Sequence, residues 1–213
     1  MRKYIILITV VLFGTGSAIA DSTTWQVGPH AAFAFPSSFH AYGRTTGEGL
    51  GAKIIYTFEK YPFIKPRLDI LYLSYGEDRS SLQGAASPYM MVQSRFESFQ
   101  ASMGFHFTRD RGKIQPYLSP LLGIFNYRTV VTLPELYYYY GYPAMDERDS
   151  QWKWGARVQT GVMFDIGLGP YIDFGLTYQR IYDVESAEFN KNKRGMAEDI
   201  MINLGVMIPL DTK

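Results

Sequence analysis

The side chains best suited to acid–base chemistry in this chain are its three histidines, His30, His40 and His106. A positioned imidazole can take the proton of a neighbouring hydroxyl and so make that oxygen a nucleophile. His106 lies two residues before Thr108, and this spacing places both side chains on one face if the segment is a strand. His106 and Thr108 are therefore the first pair to test for general-base catalysis.

Other reactive residues lie in segments that we interpret as loops. His40 lies in one such segment, and Asp78, Ser80 and Ser81 lie in another. Residues of these types are common in solvated loops, so we favour that interpretation over a catalytic site. No histidine or carboxylate pair has the spacing of a strong metal site, and the acidic group Asp146, Glu147 and Asp149 would bind calcium only loosely. The sequence predicts no catalytic residue, no metal site and no cofactor.

The elements that must position these residues are strands. Residues 152–166 alternate between a face rich in apolar side chains and a face with Lys153, Arg157 and Asp165. Similar alternation recurs in residues 25–35, 50–58, 172–178 and 200–210. Three rougher segments are residues 65–75, 96–108 and 113–131, where Leu71, Leu73, Leu122 and Ile124 fall on the face expected to be polar. The pattern predicts an all-β chain of about eight strands.

The connections between these strands alternate in length. Short joins are expected at residues 59–60, 109–112 and 167–170, and long joins at residues 36–46, 76–95, 132–151 and 183–197. Tight turns at one end and long loops at the other are typical of antiparallel up-and-down transmembrane barrels.

The first twenty residues have the features of a secretory signal peptide. Arg2 and Lys3 precede the apolar run Tyr4–Phe13, and Ala18–Ala20 forms a small-residue cleavage site. Residues 21–213 then form one barrel domain without cysteine, so no disulfide stabilises it. Removing Arg2 and Lys3 from 21 basic residues leaves 19 against 20 acidic ones, a net charge of −1, which favours no nucleic-acid partner.

Aromatic residues cluster near both predicted ends of the strands, as in the belts of membrane barrels. The set near the long loops is Phe33, Phe35, Tyr72, Tyr75, Phe125, Tyr127, Trp152, Trp154, Tyr178 and Tyr182, and the opposite set is Trp25, Phe58, Phe105, Phe107 and Tyr171. The polar face would then line the lumen. There we expect a polar network of Lys53, Arg67, Asp69, Arg157, Asp165 and Asp173 that pairs across a filled interior.

The segments Ile114–Leu118 and Asn203–Val206 resemble the aromatic and glycine-rich strands of small bacterial outer-membrane barrels of the OmpX, OmpW and OmpA transmembrane type. The resemblance covers residues 25–210 and implies a Gram-negative outer-membrane location. His106 and Thr108 are similar to the His-x-Ser pair of the lipid A deacylase family. That pair should face lipid at the outer leaflet, whereas His106 falls among the inward residues, so we expect a hydrogen-bonded lumen histidine.

The most unusual loop feature is a tyrosine run, Tyr137, Tyr138, Tyr139, Tyr140 and Tyr142, which could form a recognition surface for an extracellular protein or a glycan. Outer-membrane lipid and lipopolysaccharide are the other expected partners. The sequence favours a non-enzymatic surface interaction or structural protein, with slow passage of small or apolar solutes. Two alternatives stay open: a lipid A or phospholipid acyl-modifying enzyme, and a soluble periplasmic lipocalin-like binder.

Overall fold

The computed structural model describes residues 25–36, 46–58, 61–81, 91–108, 112–132, 146–167, 169–185 and 194–210. Eight strands account for most of them. Their bounds are β1 (Trp25–Pro36), β2 (Gly47–Tyr56), β3 (Ile64–Ser81), β4 (Met91–Thr108), β5 (Ile114–Thr132), β6 (Asp146–Asp165), β7 (Tyr171–Glu185) and β8 (Arg194–Leu210). The prediction of an all-β chain with about eight strands is confirmed.

The strands form a closed barrel in which each strand pairs antiparallel with the next and β1 pairs with β8. Trp25, for example, pairs with Tyr56 on one side and Leu210 on the other. Closure lets backbone N–H and C=O groups in the wall find partners without water. The predicted up-and-down topology is therefore confirmed. In the described part of the chain, no helix is long and apolar enough to cross a bilayer.

The outer surface of the barrel is apolar and the inner surface is largely polar at mid-height. On β7, Ile172, Phe174 and Leu176 are exposed, whereas Asp173 and Thr177 are buried. A water-soluble barrel would expose its polar residues and bury its apolar ones. The wall therefore faces hydrocarbon, and the soluble lipocalin-like alternative is wrong.

Outward-facing aromatic residues lie near both ends of the wall. Near the long connections they are Phe33, Phe35, Tyr72, Trp152, Trp154 and Tyr178, and near the short turns they are Trp25, Phe58, Phe105 and Phe107. Tyr75, Phe125 and Tyr127 were expected in the first belt, but they are buried inside the lumen. Tyr171 likewise packs against an internal apolar cluster. The expectation failed because the strand ends carry large apolar residues on both faces, which removes the alternation that distinguishes them.

The rougher strands β3 and β5 differ in how their leucines are placed. Leu71 and Leu73 are buried in the lumen, on the face where the sequence placed them. Leu122 and Ile124 face outward, with exposed fractions of 64% and 53%. Alternation put them on the polar face but left the register of this strand open, and the ladders of β5 with β4 and β6 turn Leu121 inward instead.

Several strands extend further toward the long connections than the sequence suggested. β3 and β4 pair as far as Ser81 and Met91, and β5 and β6 pair as far as Thr132 and Asp146. The backbones of Asp78, Ser80, Ser81, Asp146, Glu147 and Asp149 therefore belong to strands rather than loops. Alternation predicts a strand only where one face contacts lipid, and beyond the aromatic belt that condition ends.

The opposite end of the barrel carries tight turns. Gly112, Gly167 and Gly169 have positive φ angles of 97°, 75° and 99°, a region that glycine enters at little cost. The ends of β1 and β8, Trp25 and Leu210, pair at this same end. Short turns mark the periplasmic end of such barrels, and we call it the inner end and the other the outer end.

Candidate functional site

The lumen of the barrel is filled by three layers of side chains. The outer layer is apolar and consists of Ala32, Ala34, Leu71, Leu73, Tyr75, Phe96, Phe125, Tyr127, Ile181, Ala197 and Met201. The inner layer contains an apolar cluster of Ile55, Tyr117, Met163 and Met207, with Tyr171 packed against it, and this cluster lies beside the buried side chains of Gln26 and Gln115. Between them lies a buried polar layer that includes His30, Lys53, Arg67, Asp69, Gln100, His106, Ser119, Arg157, Gln159, Asp173 and Gln179.

The polar layer is connected across the barrel by an ion pair between β2 and β7. The Nζ atom of Lys53 lies 2.5 Å from Oδ2 of Asp173. The hydroxyl of Tyr117 donates to Oδ1 of the same carboxylate at 2.7 Å, and Gln159 donates to that hydroxyl at 2.8 Å. Both oxygens of Asp173 are thus satisfied, which is the condition for burying a carboxylate at tolerable cost.

Two glycines make room for Tyr117 in this arrangement. Gly161 and Gly175 are opposite each other on β6 and β7. A Cβ atom on either glycine would lie 2.6 Å from the hydroxyl oxygen of Tyr117. The absence of side chains at these two positions lets the phenol extend over β6, on the lumen side of the wall, to Asp173.

A second cluster is centred on Arg67. Its guanidinium donates to Asp69 at 2.6 Å, to Ser119 at 3.0 Å and to Gln159 at 2.5 Å. His106 Nδ1 lies 2.9 Å from the same Ser119 hydroxyl. The bond to Gln159 joins this cluster to the Lys53–Asp173 pair, so the two groups form one continuous network.

Arg157 extends the network toward the outer layer. It lies 3.7 Å from Asp69, donates to Gln179 at 2.9 Å and also donates to Gln100. Gln179 in turn donates to Asp199 at 3.2 Å. These residues tie strands β3, β4, β6, β7 and β8 together with charge-assisted hydrogen bonds.

Five of the six residues expected in the lumen network lie in this polar layer: Lys53, Arg67, Asp69, Arg157 and Asp173. Asp165 does not. It lies at the inner end of β6, partly exposed, and accepts a hydrogen bond from the backbone of Gly167 at 2.7 Å. Asp165 therefore stabilises the β6–β7 turn, because the polar face continues past the lumen into the periplasmic turn.

Sequence reasoning missed the uncharged members of the network. Tyr117, Ser119 and Gln159 complete its hydrogen bonds, yet only their position on the inward face of a strand signalled a role. Which charged group each one contacts depends on how the strands curve around the barrel, and alternation does not encode that curvature.

His106 is enclosed and faces the lumen, as expected. Its exposed fraction is 1%, its ring lies 4.6 Å from that of Tyr117, and its hydrogen-bond partner is Ser119 rather than Thr108. Thr108 instead donates to the carbonyl of Pro116 at 3.1 Å. His106 and Thr108 therefore do not form a hydrogen-bonded pair, and the imidazole faces the lumen rather than the lipid-contacting surface.

Three predicted features lie outside the described residues: His40, the tyrosine run and the signal peptide at residues 1–20. Among the residues that the structure describes, no group of three His, Cys, Asp or Glu side chains could hold a metal ion.

Comparison with solved structures identifies the architecture. No protein-family model matches the chain, and no curated protein matches it. Neisserial surface protein A has a TM-score of 0.55 and 20% identity, with 87% of this chain and 97% of that chain covered. The fold is that of the small outer-membrane β-barrels. The apolar exterior agrees with this, and the barrel is a transmembrane protein of the bacterial outer membrane.

Two further structures resemble the barrel over nearly their whole length. The outer membrane protein OprG from Pseudomonas aeruginosa has a TM-score of 0.53 and 12% identity, with 90% of this chain and 97% of that chain covered. Ail, the attachment invasion locus protein of Yersinia pestis, has a TM-score of 0.50 and 13% identity, with 87% and 97% covered. At these identities the likeness extends to the fold alone.

Proposed function

We infer that this protein is a non-enzymatic outer-membrane barrel whose outer end binds other molecules at the cell surface. The observation that carries this proposal is a sheet that continues past the outer aromatic belt. We call it the projecting sheet and define it as residues 77–81, 91–95, 129–132 and 146–149 of β3 to β6. A barrel that only had to span the membrane would not need it.

The projecting sheet has two lateral edges among the described residues. β3 pairs with β2 only as far as Tyr75 and Gly47, and then continues beside β4 alone. β6 pairs with β7 only from Gly155 and Ile181 inward. Beyond these points, each outermost strand of the projecting sheet has one paired side and one open side within the part of the chain that is described.

The pairing of β7 with β6 ends next to a bulge in β7. Asp183 has a φ of 62°, and the β7–β8 register shifts between Ile181 and Val184. Just before the bulge, the rings of Tyr182 and Trp154 stack with centroids 4.4 Å apart. Bulges bend a strand and commonly end its pairing. The bulge and the ring stack therefore mark a defined point at which β6 and β7 diverge.

The open side of β6 can accept another strand. Alternate residues of β6 direct their backbone groups toward β7, as Ala156 does where it pairs with Arg180, and the same alternation applies to Arg148 and Ser150. An extended segment that adds to such an edge gains main-chain hydrogen bonds. The charged sequence Asp146–Asp149 would oppose pairing between copies of this same edge, as charges on edge strands commonly do.

The tyrosine run belongs to the same proposal. Residues 133–145, which include Tyr137 to Tyr140 and Tyr142, connect the paired residues Thr132 and Asp146. Tyrosines offer rigid contact area with a polar tip, which suits recognition of a protein or a glycan. We propose that they add side-chain contacts to the backbone contacts of the β6 edge.

A matched pair of variants at Ser150 tests the edge. Ser150→Pro removes the outward N–H donor, whereas Ser150→Ala keeps it and loses the same side-chain bonds to Asn126. We expect bacteria that express the wild type or Ser150→Ala to adhere equally to an epithelial monolayer. Ser150→Pro should lower adhesion about tenfold, which corresponds to a loss of roughly 1.4 kcal/mol of binding free energy.

Heat-modifiable migration on a gel serves as the folding control for both variants. Adhesion of the wild type no greater than that of vector-only cells would contradict the surface-interaction proposal. Equal adhesion of the two Ser150 variants would show that the β6 edge is not the binding surface, but it would leave the rest of the surface-interaction proposal standing.

The enzyme alternative has one supporting contact, the His106–Ser119 hydrogen bond. Ser119 is fully buried and also accepts a hydrogen bond from Arg67, so its oxygen is not directed at lipid. We expect lipid A and phospholipid mass spectra to be identical in cells with and without the gene. A changed acyl chain that reverts in both His106→Ala and Ser119→Ala would establish the enzyme instead.

A further inference from the structure

The seam between β4 and β5 is interrupted near the inner end. Their ladder continues from Gly104 and Leu121 to Phe107 and Leu118 without the two intervening rungs. Pro120 occupies one of these rungs. An unbroken seam would give each residue of the wall two strand neighbours, so this interruption is a local departure from the closed barrel.

Two prolines weaken this seam: Pro120 lies in one of the missing rungs, and Pro116 lies just past the last rung, Thr108–Tyr117. The carbonyl of Pro116 accepts a bond from Thr108 of β4, and the carbonyl of Pro120 lies against Gly104 of the same strand. In an antiparallel pair, a residue directs its N–H and its C=O to the same neighbour. Both proline nitrogens therefore face β4, where neither can donate a hydrogen bond.

Next to the interruption, the inner end of this seam has a shallow, open groove. Its volume is about 400 Å³, and it is lined by Phe63, Phe107, Thr108, Pro116, Tyr117 and Leu118. Phe107 and Leu118 are exposed on the outward face of the wall, Phe63 is exposed in the turn before β3, and Thr108 and Tyr117 are buried on the lumen face. The groove therefore lies where the lipid-facing wall meets the inner rim of the barrel.

We propose that this groove binds one acyl chain of a phospholipid from the inner leaflet. The groove is continuous with the apolar wall, and it lies at the level of the inner belt residues Phe105 and Phe107. At that depth the medium is the inner leaflet of the membrane, so the occupant is a phospholipid tail. The site is distinct from the projecting sheet and lies at the opposite end of the barrel.

A bound chain would differ from ordinary surrounding lipid in its contacts. Phe107 and Leu118 are registered partners across the interrupted seam, and Phe63 flanks them through the bond from Thr108 N to its carbonyl at 3.2 Å. A chain in this groove contacts apolar groups on β4, on β5 and in the turn before β3. Lipid on the ungrooved part of the wall, which we call the even wall, contacts a convex surface. More simultaneous dispersion contacts imply longer residence.

Photolabelling tests the proposal with two matched positions. Leu118 and Leu176 are both 48% exposed, but Leu118 lines the groove and Leu176 lies on the even wall of β7. The protein is reconstituted in vesicles that contain a phosphatidylethanolamine with a photoactivatable acyl chain, and adducts are mapped by mass spectrometry. We expect at least threefold more adducts at Phe63, Phe107 and Leu118 than at Phe174 and Leu176.

A tryptophan that fills the groove supplies the second readout. Leu118→Trp should lower the adducts at Phe63 and Phe107 to the level of the even wall, and Leu176→Trp should leave them enriched. Equal labelling of groove and wall in the wild type would overturn the proposal, as would enrichment that survives Leu118→Trp. Both variants change only lipid-facing residues, so folding of each is verified by heat-modifiable migration.

Discussion

At the scale of residues, the charges at the centre of this lumen are tolerable because they lie in ion pairs that further hydrogen bonds support. Asp173 shows this most clearly, since Lys53 neutralises one carboxylate oxygen and Tyr117 donates to the other. Removing one partner of a buried pair leaves an uncompensated charge, which costs far more than the pair itself contributes. The network should therefore tolerate paired replacement better than single replacement.

We predict that Lys53→Met lowers the free energy of unfolding by about 3–5 kcal/mol, because it leaves the Asp173 carboxylate with only Tyr117. The double variant Lys53→Met, Asp173→Leu should recover part of that loss. Urea unfolding in lipid vesicles gives both values. The control Ile54→Met changes the next residue of β2, which is not part of the buried polar layer, and should stay within about 0.5 kcal/mol of the wild type. Additive losses in the double variant would show that the pair is not coupled.

At the scale of elements, the strands position the network through their neighbours as much as through their own side chains. Tyr117 belongs to β5, yet it reaches Asp173 of β7 across β6. It can do so only because Gly161 and Gly175 leave space on β6 and β7. The glycine pair is therefore part of the site, although it carries no functional group.

Substitution of Gly161 tests this role. We expect Gly161→Ala to lower stability by about 1–3 kcal/mol, because its Cβ would clash with the Phe174 carbonyl oxygen and lie 2.6 Å from the Tyr117 hydroxyl, which forces the ring out of the network. Pairing it with Tyr117→Phe should give a smaller additional loss than Tyr117→Phe causes alone. The unfolding midpoint in vesicles measures each variant. A Gly161→Ala protein as stable as the wild type would show that Tyr117 accommodates the added Cβ without leaving the network.

At the scale of the whole molecule, the barrel separates its tasks along its axis. The wall between the two belts contacts lipid, the three lumen layers close the interior, and the projecting sheet extends from the outer end. Apolar clusters on both sides of the polar layer leave its charges buried. This arrangement supports a closed lumen and argues against the passage of solutes, which the sequence had left as a possibility.

We predict that the purified wild type shows no stable open state in planar-bilayer recordings. A triple variant with Phe125→Ala, Arg157→Ala and Tyr117→Ala removes one large side chain from each layer and should give frequent conducting events. A long-lived conductance in the wild type would contradict the closed lumen. Absence of current from the folded triple variant would mean that the remaining side chains suffice to seal it.

Much of this fold was predictable from alternation alone. The strand count, the antiparallel order and the inward placement of Lys53, Arg67 and Asp173 follow from a period of two in which one face meets hydrocarbon. The prediction failed where that physical condition ends. The extensions of β3 to β6 were predicted as loops because they lie beyond the belt, and Phe125 was assigned to the wrong face because the lumen is apolar there.

The sequence by itself determined that the chain forms about eight strands with an apolar face and a polar face, because side-chain direction in a strand depends only on position along it. Only the tertiary structure decided which residues meet. Closure brings β2 and β7 to opposite sides of a narrow lumen, so Lys53 contacts Asp173 across 120 residues of chain. Such contacts depend on register and curvature, which arise from all eight strands together and are encoded in no single segment.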